Sequence, residues 1–176
     1  RKKLREKRNI SKDVDAILFG YNRIGFGILS SLKKIKRNYL VVDFNPDTIA
    51  GLTKLRIPCV YGDADDDSLL RDLPLKNLKI AVSTIPDLDT NELLVEAIKT
   101  ENPDAIVILR AHTIDNAMQL YKKGADYVLT PHFLGGEYLA RMLSIIKTDK
   151  EGYKEEKERH IKMLTERFER GQEHPE

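Results

Sequence analysis

Apolar residues fall in short unbroken runs, separated by stretches in which they recur every three or four positions. Ala16-Ile17-Leu18-Phe19 is the first run. It stops at Gly20, and Ile24, Ile28, Leu29 and Leu32 then mark one face of a helix over 24–34. Tyr39-Leu40-Val41-Val42-Asp43 is a second run ending in a carboxylate. Pro46 opens the next helix, at a position where a missing N–H costs nothing, with Ile49, Leu52 and Leu55 as its expected inner face. Pro58-Cys59-Val60-Tyr61, 78–82, 105–109 and Tyr127-Val128-Leu129 are the remaining runs. Between them, Leu69, Leu70 and Leu73 mark a short helix, and Leu88, Leu93, Leu94, Ala97 and Ile98 a longer one. A further helix over 114–123 is closed by Gly124 as a C-cap. Pro131 starts a last core helix through Leu139, Met142, Leu143 and Ile146.

Runs that are apolar throughout, rather than alternating, belong to strands covered on both faces. Their regular alternation with helices predicts an α/β fold: a Rossmann-like, doubly wound sheet of six parallel strands in the order 3-2-1-4-5-6, with helices on both faces. After Thr148 the pattern changes. Residues 149–171 are almost all charged, and Ile161, Leu164 and Phe168 form one helical stripe, too thin for a core of its own. Such a helix either docks on a partner or projects into solvent. The expected organisation is a basic, juxtamembrane linker over 1–13, the sheet domain over 14–148 and a charged helical tail over 149–176.

Composition narrows the class. With 176 residues, 41% hydrophobic and 33% charged, the chain suits one ordinary domain plus an appendage. A net charge of +2 gives no case for nucleic acid as a partner. Cys59 is the single cysteine, so no intrachain disulfide forms, and its expected role is a small hydrophobe in a buried strand. No apolar run approaches the roughly 20 residues of a membrane span. The chain opens at Arg1 on a basic run, Arg1-Lys2-Lys3-Leu4-Arg5-Glu6-Lys7-Arg8, with no apolar signal segment after it. Starting without methionine, it reads as a piece of something longer.

The candidate chemistry gathers at the ends of the strands. Gly20-Tyr21-Asn22-Arg23-Ile24-Gly25 fills the strand-to-helix turn, where Gly20 permits the tight bend and Gly25 lets the helix lie close to the sheet. Such a turn presents a helix N-terminus to a phosphate. Asn22 stands where the fingerprint places its middle glycine, which lets backbone approach a pyrophosphate, and this favours a mononucleotide. Asp43, with Phe44 after it, lies about 20 residues beyond the turn, where an acid accepts ribose hydroxyls and repels a 2′-phosphate; the competing role for Asp43 is N-cap of the helix at Pro46. Asp63 and Ala64 follow the third strand, within expected reach of an adenine amino group. Thr84 ends the fourth strand beside the switch point, and Arg110 ends the fifth in the same layer. Arg23 is within reach of phosphate, the alternative being an exposed residue at the helix start, and Arg110 pairs either with phosphate or with a carboxylate such as Asp87 or Asp115.

Other constellations carry no chemistry. Asp65-Asp66-Asp67 complements the N-terminus of the next helix. As a calcium loop it fails, since counting from Asp63 puts Ser68 at the turn glycine and Pro74 at the bidentate glutamate. His112 and His132 lack second ligands at metal spacing. Tyr153-x-x-x-Lys157, a formal match to a dehydrogenase pair, lies in the charged tail outside the sheet. No catalytic residue and no metal site is expected.

Together these residues resemble a family, the RCK N-terminal (TrkA-N, Kef-type) domain, which regulates potassium channels, Trk and Ktr uptake systems and monovalent cation/proton antiporters. The likeness rests on Gly20-Tyr21-Asn22-Arg23-Ile24-Gly25, Val42-Asp43, Tyr61-Gly62-Asp63-Ala64, Leu109-Arg110-Ala111 and Gly124-Ala125-Asp126-Tyr127-Val128, over about residues 14–147. Pro131-His132-Phe133-Leu134-Gly135-Gly136-Glu137 resembles the antiporter branch. The tail after Lys147 is too polar to be the family's C-terminal ligand-binding subdomain.

The resemblance implies a regulatory domain at the cytoplasmic face of the membrane, tethered at its N-terminus to a transmembrane transporter domain. It implies a homodimer formed through the last core helix and the tail. It also implies adenine-nucleotide binding without catalysis; with Asn22 in the turn and no substrate domain to hold a nicotinamide, AMP is the expected ligand and NAD(H) or ATP/ADP are the alternatives. The competing reading of the residues is the cofactor-binding fragment of an NAD-dependent oxidoreductase.

Overall fold

A computed structural model describes residues 9–35 and 38–169 of the chain. The basic run 1–8, on which a juxtamembrane role was expected, and the end of the tail beyond 169 lie outside the described residues. The chain divides into two compact units, Arg1–Thr130 and Pro131–Glu176.

The first unit is a six-stranded sheet in the order β3-β2-β1-β4-β5-β6, every pair parallel. Its elements alternate as the runs predict: β1 (Ala16–Phe19), α1 (Arg23–Ile35), β2 (Tyr39–Asp43), α2 (Pro46–Lys54), β3 (Cys59–Tyr61), α3 (Asp67–Asp72), β4 (Ile80–Ser83), α4 (Leu88–Glu101), β5 (Ile106–Arg110), α5 (Ile114–Lys123) and β6 (Tyr127–Leu129). The expected run over 78–82 starts late as a strand, because a 3-10 turn at Leu75–Asn77 precedes it.

Two apolar clusters lie on opposite faces of the sheet. Ala16, Leu18, Val41 and Val82 pack with Leu29 and Leu32 of α1 and Leu52 of α2. Ile17, Phe19, Val42, Val107 and Leu109 pack with Leu69 and Leu70 of α3, Leu94 and Ile98 of α4, and Leu120 of α5. Period-2 alternation thus feeds two cores at once, which is why the strands read as unbroken apolar runs. The first face is incompletely covered. Ile106 and Tyr127 share its parity in β5 and β6 and stay 48% and 47% exposed.

Caps set the helix ends. Asn45 caps α2, its side chain accepting from the N–H groups of Asp47 and Thr48. Asp66 caps α3, with Asp67 in the first turn, so the acidic run serves the helix N-terminus as expected. Asp87 caps α4, and the Thr90 N–H and hydroxyl bound to it hold its carboxyl below the usual carboxylate value. Gly124, at φ 111°, closes α5 as the sequence indicated. Asp126 ties three elements: its carboxylate accepts from the Lys99 ammonium at 2.8 Å and the Val107 N–H at 2.7 Å. Burial pushes this carboxyl up, and those two bonds outweigh it to leave the value lowered.

Three positions depart from the sequence pattern. Leu55 is 70% exposed rather than on the inner face of α2. That helix ends at Lys54, and the turn at Leu55 and Arg56 (φ 56°) carries the side chain away from the sheet. Leu93, one of the apolar residues that mark α4 in the sequence, is 41% exposed because the buried stripe runs through Leu94, Val95 and Ile98. Cys59 is half-buried, its thiol directed to the Ile49 carbonyl at 3.8 Å.

The second unit contains α6 (Pro131–Ile146) and α7 (Lys150–Glu169). The Tyr138 hydroxyl joins them by donating to Glu156, which also pairs with Arg159. These bonds, Arg159 first, lower the Glu156 carboxyl to about 2. The helix at Pro131 was expected to belong to the core, yet neither helix has a buried residue. Each carries an apolar stripe that stays exposed.

Candidate functional site

The site is built where β1, β2, β3 and β4 end together. The chain continues the ladder one step past each strand: the Gly20 N–H bonds the Val42 carbonyl, Gly62 bonds Asp43, and Thr84 bonds Phe19. The residues after the strands therefore form one layer at the carboxyl edge of the sheet, where a parallel α/β sheet offers its crevice.

Glycine is required at two points of the turn. Gly20 has φ +86°, and a Cβ there would meet the Thr84 hydroxyl at 2.6 Å. A Cβ on Gly25 would meet the Gly20 carbonyl oxygen at 2.7 Å, so the first turn of α1 can pass this close only without a side chain.

Asp43 holds the turn from the next strand. One carboxylate oxygen accepts from the Tyr21 N–H at 2.7 Å and the other from the Asn45 N–H at 2.8 Å. Each oxygen keeps a second lone pair for a further donor. Asp43 is therefore not the cap of α2; that position belongs to Asn45, which the sequence reading missed although an Asn directly before Pro46 is a capping signal.

Asn22 caps α1. Its side-chain oxygen accepts from Ile24 N–H at 3.0 Å and Gly25 N–H at 3.1 Å, while its amide donates to the Thr84 carbonyl at 3.4 Å. That same carbonyl accepts from the Arg110 guanidinium at 3.0 Å. Thr84 itself is fully buried, its hydroxyl donating to the Gly20 carbonyl at 2.7 Å. The expectation was that hydroxyl and backbone here would both line the crevice. The hydroxyl instead fastens β4 to the turn, while the Thr84 carbonyl faces the polar groups around it.

The remaining site residues are less interlocked. Arg23 is exposed at the first position of α1, and Ile24 is half-buried behind it. Phe44 is 65% exposed immediately beyond Asp43. Asp63 is exposed and Ala64 buried in the loop after β3. Hydrogen bonding to Asp63 and repulsion by its charge raise the Asp65 carboxyl above its ordinary value. The structure thus joins Gly20, Tyr21, Asn22, Ile24, Asp43, Thr84 and Arg110 through direct bonds, and brings Asp63 to the same edge through Gly62.

Asn91 is a residue the sequence reading passed over. Completely buried in α4, its amide donates to the Ile85 carbonyl at 2.8 Å and the Arg110 carbonyl at 2.9 Å, fixing the loop after β4 against the end of β5. Its side-chain oxygen has no hydrogen-bond partner. The signal was a polar residue on the apolar face of a helix. Among the described residues no cluster of metal-ligating side chains is found. An open cleft of about 720 Å³, lined by Ile10, Leu70, Leu75 and Leu93 among others, lies toward the amino ends of the strands, away from this layer.

Residues 16–131 match the TrkA-N domain. The chain belongs to the TrkA-N family. Among its relatives, Potassium channel protein 1 of Methanocaldococcus jannaschii is 25% identical over 128 residues, 72% of this chain and 38% of the relative. The glutathione-regulated potassium-efflux system protein KefC of Cronobacter sakazakii is 28% identical over 126 residues, 72% of this chain and 20% of the relative. The chain thus spans between a fifth and about two-fifths of these curated relatives.

Solved structures show the same fold. The TrkA-N domain of the inner membrane protein ybaL from Escherichia coli superposes with a TM-score of 0.67 at 23% identity, covering 73% of this chain and 96% of that one. The Kef CTD of Shewanella denitrificans in AMP-bound form gives 0.62 at 19%, covering 86% and 92%. The GsuK channel bound to NAD gives 0.58 at 19%, covering 67% and 21%.

Proposed function

We propose that this TrkA-N domain is the ligand-sensing part of a membrane monovalent-cation (K+ or Na+)/proton transporter, and that it binds an adenine nucleotide in the crevice at the ends of β1 to β5. The observation that carries this is the joined layer of Asp43, the capped turn of α1 and Arg110. It offers a carboxylate for ribose hydroxyls, a helix N-terminus for phosphate and a guanidinium one strand further along. Membership of a family whose relatives here are a potassium channel protein and a potassium-efflux system protein supports the transporter context. Fold neighbours named as bound to AMP and to NAD support the ligand class.

The domain is regulatory rather than catalytic on this reading. The crevice presents Asp43, Asp63, Arg23 and Arg110, which bind and orient, but no paired acid and base poised over a reacting atom. Ligand acts by differing in affinity between two arrangements of a homodimer, and that difference moves a transport domain preceding residue 1 at the cytoplasmic face of the membrane. On this reading the membrane span lies in that transport domain; among the described residues no helix is long and apolar enough to cross a membrane.

Asn22 favours AMP over NAD(H), ATP or ADP, because its Cβ and side chain stand where a second phosphate would need bare backbone. Thermal unfolding with each nucleotide in excess tests this, since a ligand that binds the folded state raises the midpoint by mass action. AMP is expected to raise it most and NADH less. A midpoint unmoved by any adenine nucleotide would overturn the reading, and a larger rise with NADH than with AMP would overturn the choice of ligand.

A further inference from the structure

The two N–H groups best placed to receive a phosphate at the start of α1 already have an acceptor. Asn22 turns back over the helix end, and its side-chain oxygen takes both Ile24 N–H at 3.0 Å and Gly25 N–H at 3.1 Å. Its amide reaches across to the Thr84 carbonyl, 3.4 Å away, beside the Arg110 guanidinium. The residue is exposed, so it can leave this position without opening the core. A glycine in its place would leave those donors to solvent or ligand.

We propose that the Asn22 side chain is an intramolecular stand-in for the ligand's phosphate: it caps α1 in the free domain and must be displaced when a phosphate-bearing ligand binds. This rests on the nucleotide reading above and adds the regulation of that site by exchange. A carboxamide oxygen is a neutral acceptor, whereas a phosphate oxygen is charged and gains from the helix dipole, so the exchange runs toward the ligand. Displacement also releases the bond to the Thr84 carbonyl. Occupancy at the turn is thereby felt at the end of β4, whose carbonyl keeps only Arg110.

Exchange lowers affinity by the worth of the cap, about a five-fold factor in the equilibrium. The chain should therefore be titrated calorimetrically with AMP and with adenosine, as wild type and as Asn22→Gly, Asn22→Ala and Asn22→Asp. Glycine at an N-cap position costs little stability, and Asp is itself a good cap, so these variants keep the fold. AMP affinity is expected to rise about five-fold in Asn22→Ala and about two-fold in Asn22→Gly, where solvent takes over the freed N–H groups at little cost. In Asn22→Asp it should fall about ten-fold, because a charged cap stays in place and repels phosphate. Adenosine affinity should be the same in all four.

A gain in Asn22→Gly without one in Asn22→Ala would mean that the Cβ, and not the cap, is the obstacle, and would overturn the proposal. Unchanged or weaker AMP binding in both would overturn it while leaving the nucleotide reading intact. If neither AMP nor adenosine binds wild type or any variant, the nucleotide reading fails and the proposal with it.

Discussion

Thr84 shows how one buried side chain can fasten a candidate site from within the sheet. Its hydroxyl donates to the Gly20 carbonyl, and its own carbonyl receives both Asn22 and Arg110, so three strand ends meet at a single buried residue. Thr84→Val keeps the shape and removes the hydroxyl, leaving the Gly20 carbonyl without that donor. The expected loss is about 0.5–1.5 kcal/mol, the net worth of that hydrogen bond, read as a lower midpoint in urea unfolding. An unchanged midpoint would show that the hydroxyl is not a fastening. This role was not legible in the sequence, which placed Thr84 at the end of a strand but not which way its side chain points. Gly20 and Asp43 were legible, because a strand–turn–helix pattern with a terminal acid constrains them locally. Even so, that Asp43 grips the Tyr21 N–H as well as its own neighbour Asn45 follows only from the pairing of β1 with β2.

At the scale of elements, periodicity located nearly every strand and helix, since each buries a face against its neighbours in the sheet. It failed at α6. The pattern through Leu139, Met142, Leu143 and Ile146 reads as a core helix, yet α6 buries nothing, with Leu143 52% and Ile145 73% exposed. In α7 the stripe of Ile161, Leu164 and Phe168 is also open to solvent, on a helix the sequence did not place in a core. An apolar stripe records that a helix needs a partner, not which molecule supplies it. With Ile106 and Tyr127 also uncovered on the sheet, a second copy is the partner proposed here. Sedimentation of the purified chain is expected to show a dimer, and Leu143→Asp to shift it to monomer with its circular dichroism retained. A wild-type monomer at high concentration would contradict a gate that works between two copies.

The whole molecule joins a rigid sheet edge, where the candidate ligand groups are held by backbone bonds, to a pair of helices whose apolar faces await cover. Its family membership places it among domains of potassium-handling relatives several times its own coverage. The carboxyl edge of this sheet is proposed to bind an adenine nucleotide through Asp43. Calorimetric titration of the wild-type chain and Asp43→Ala with AMP, each variant first shown to be folded, tests it most directly. Wild type should bind saturably, and the variant at least several-fold more weakly, since a hydrogen bond from a ribose hydroxyl to a charged group is worth about 1.5–3 kcal/mol. Equal affinity in a folded Asp43→Ala domain would contradict the account.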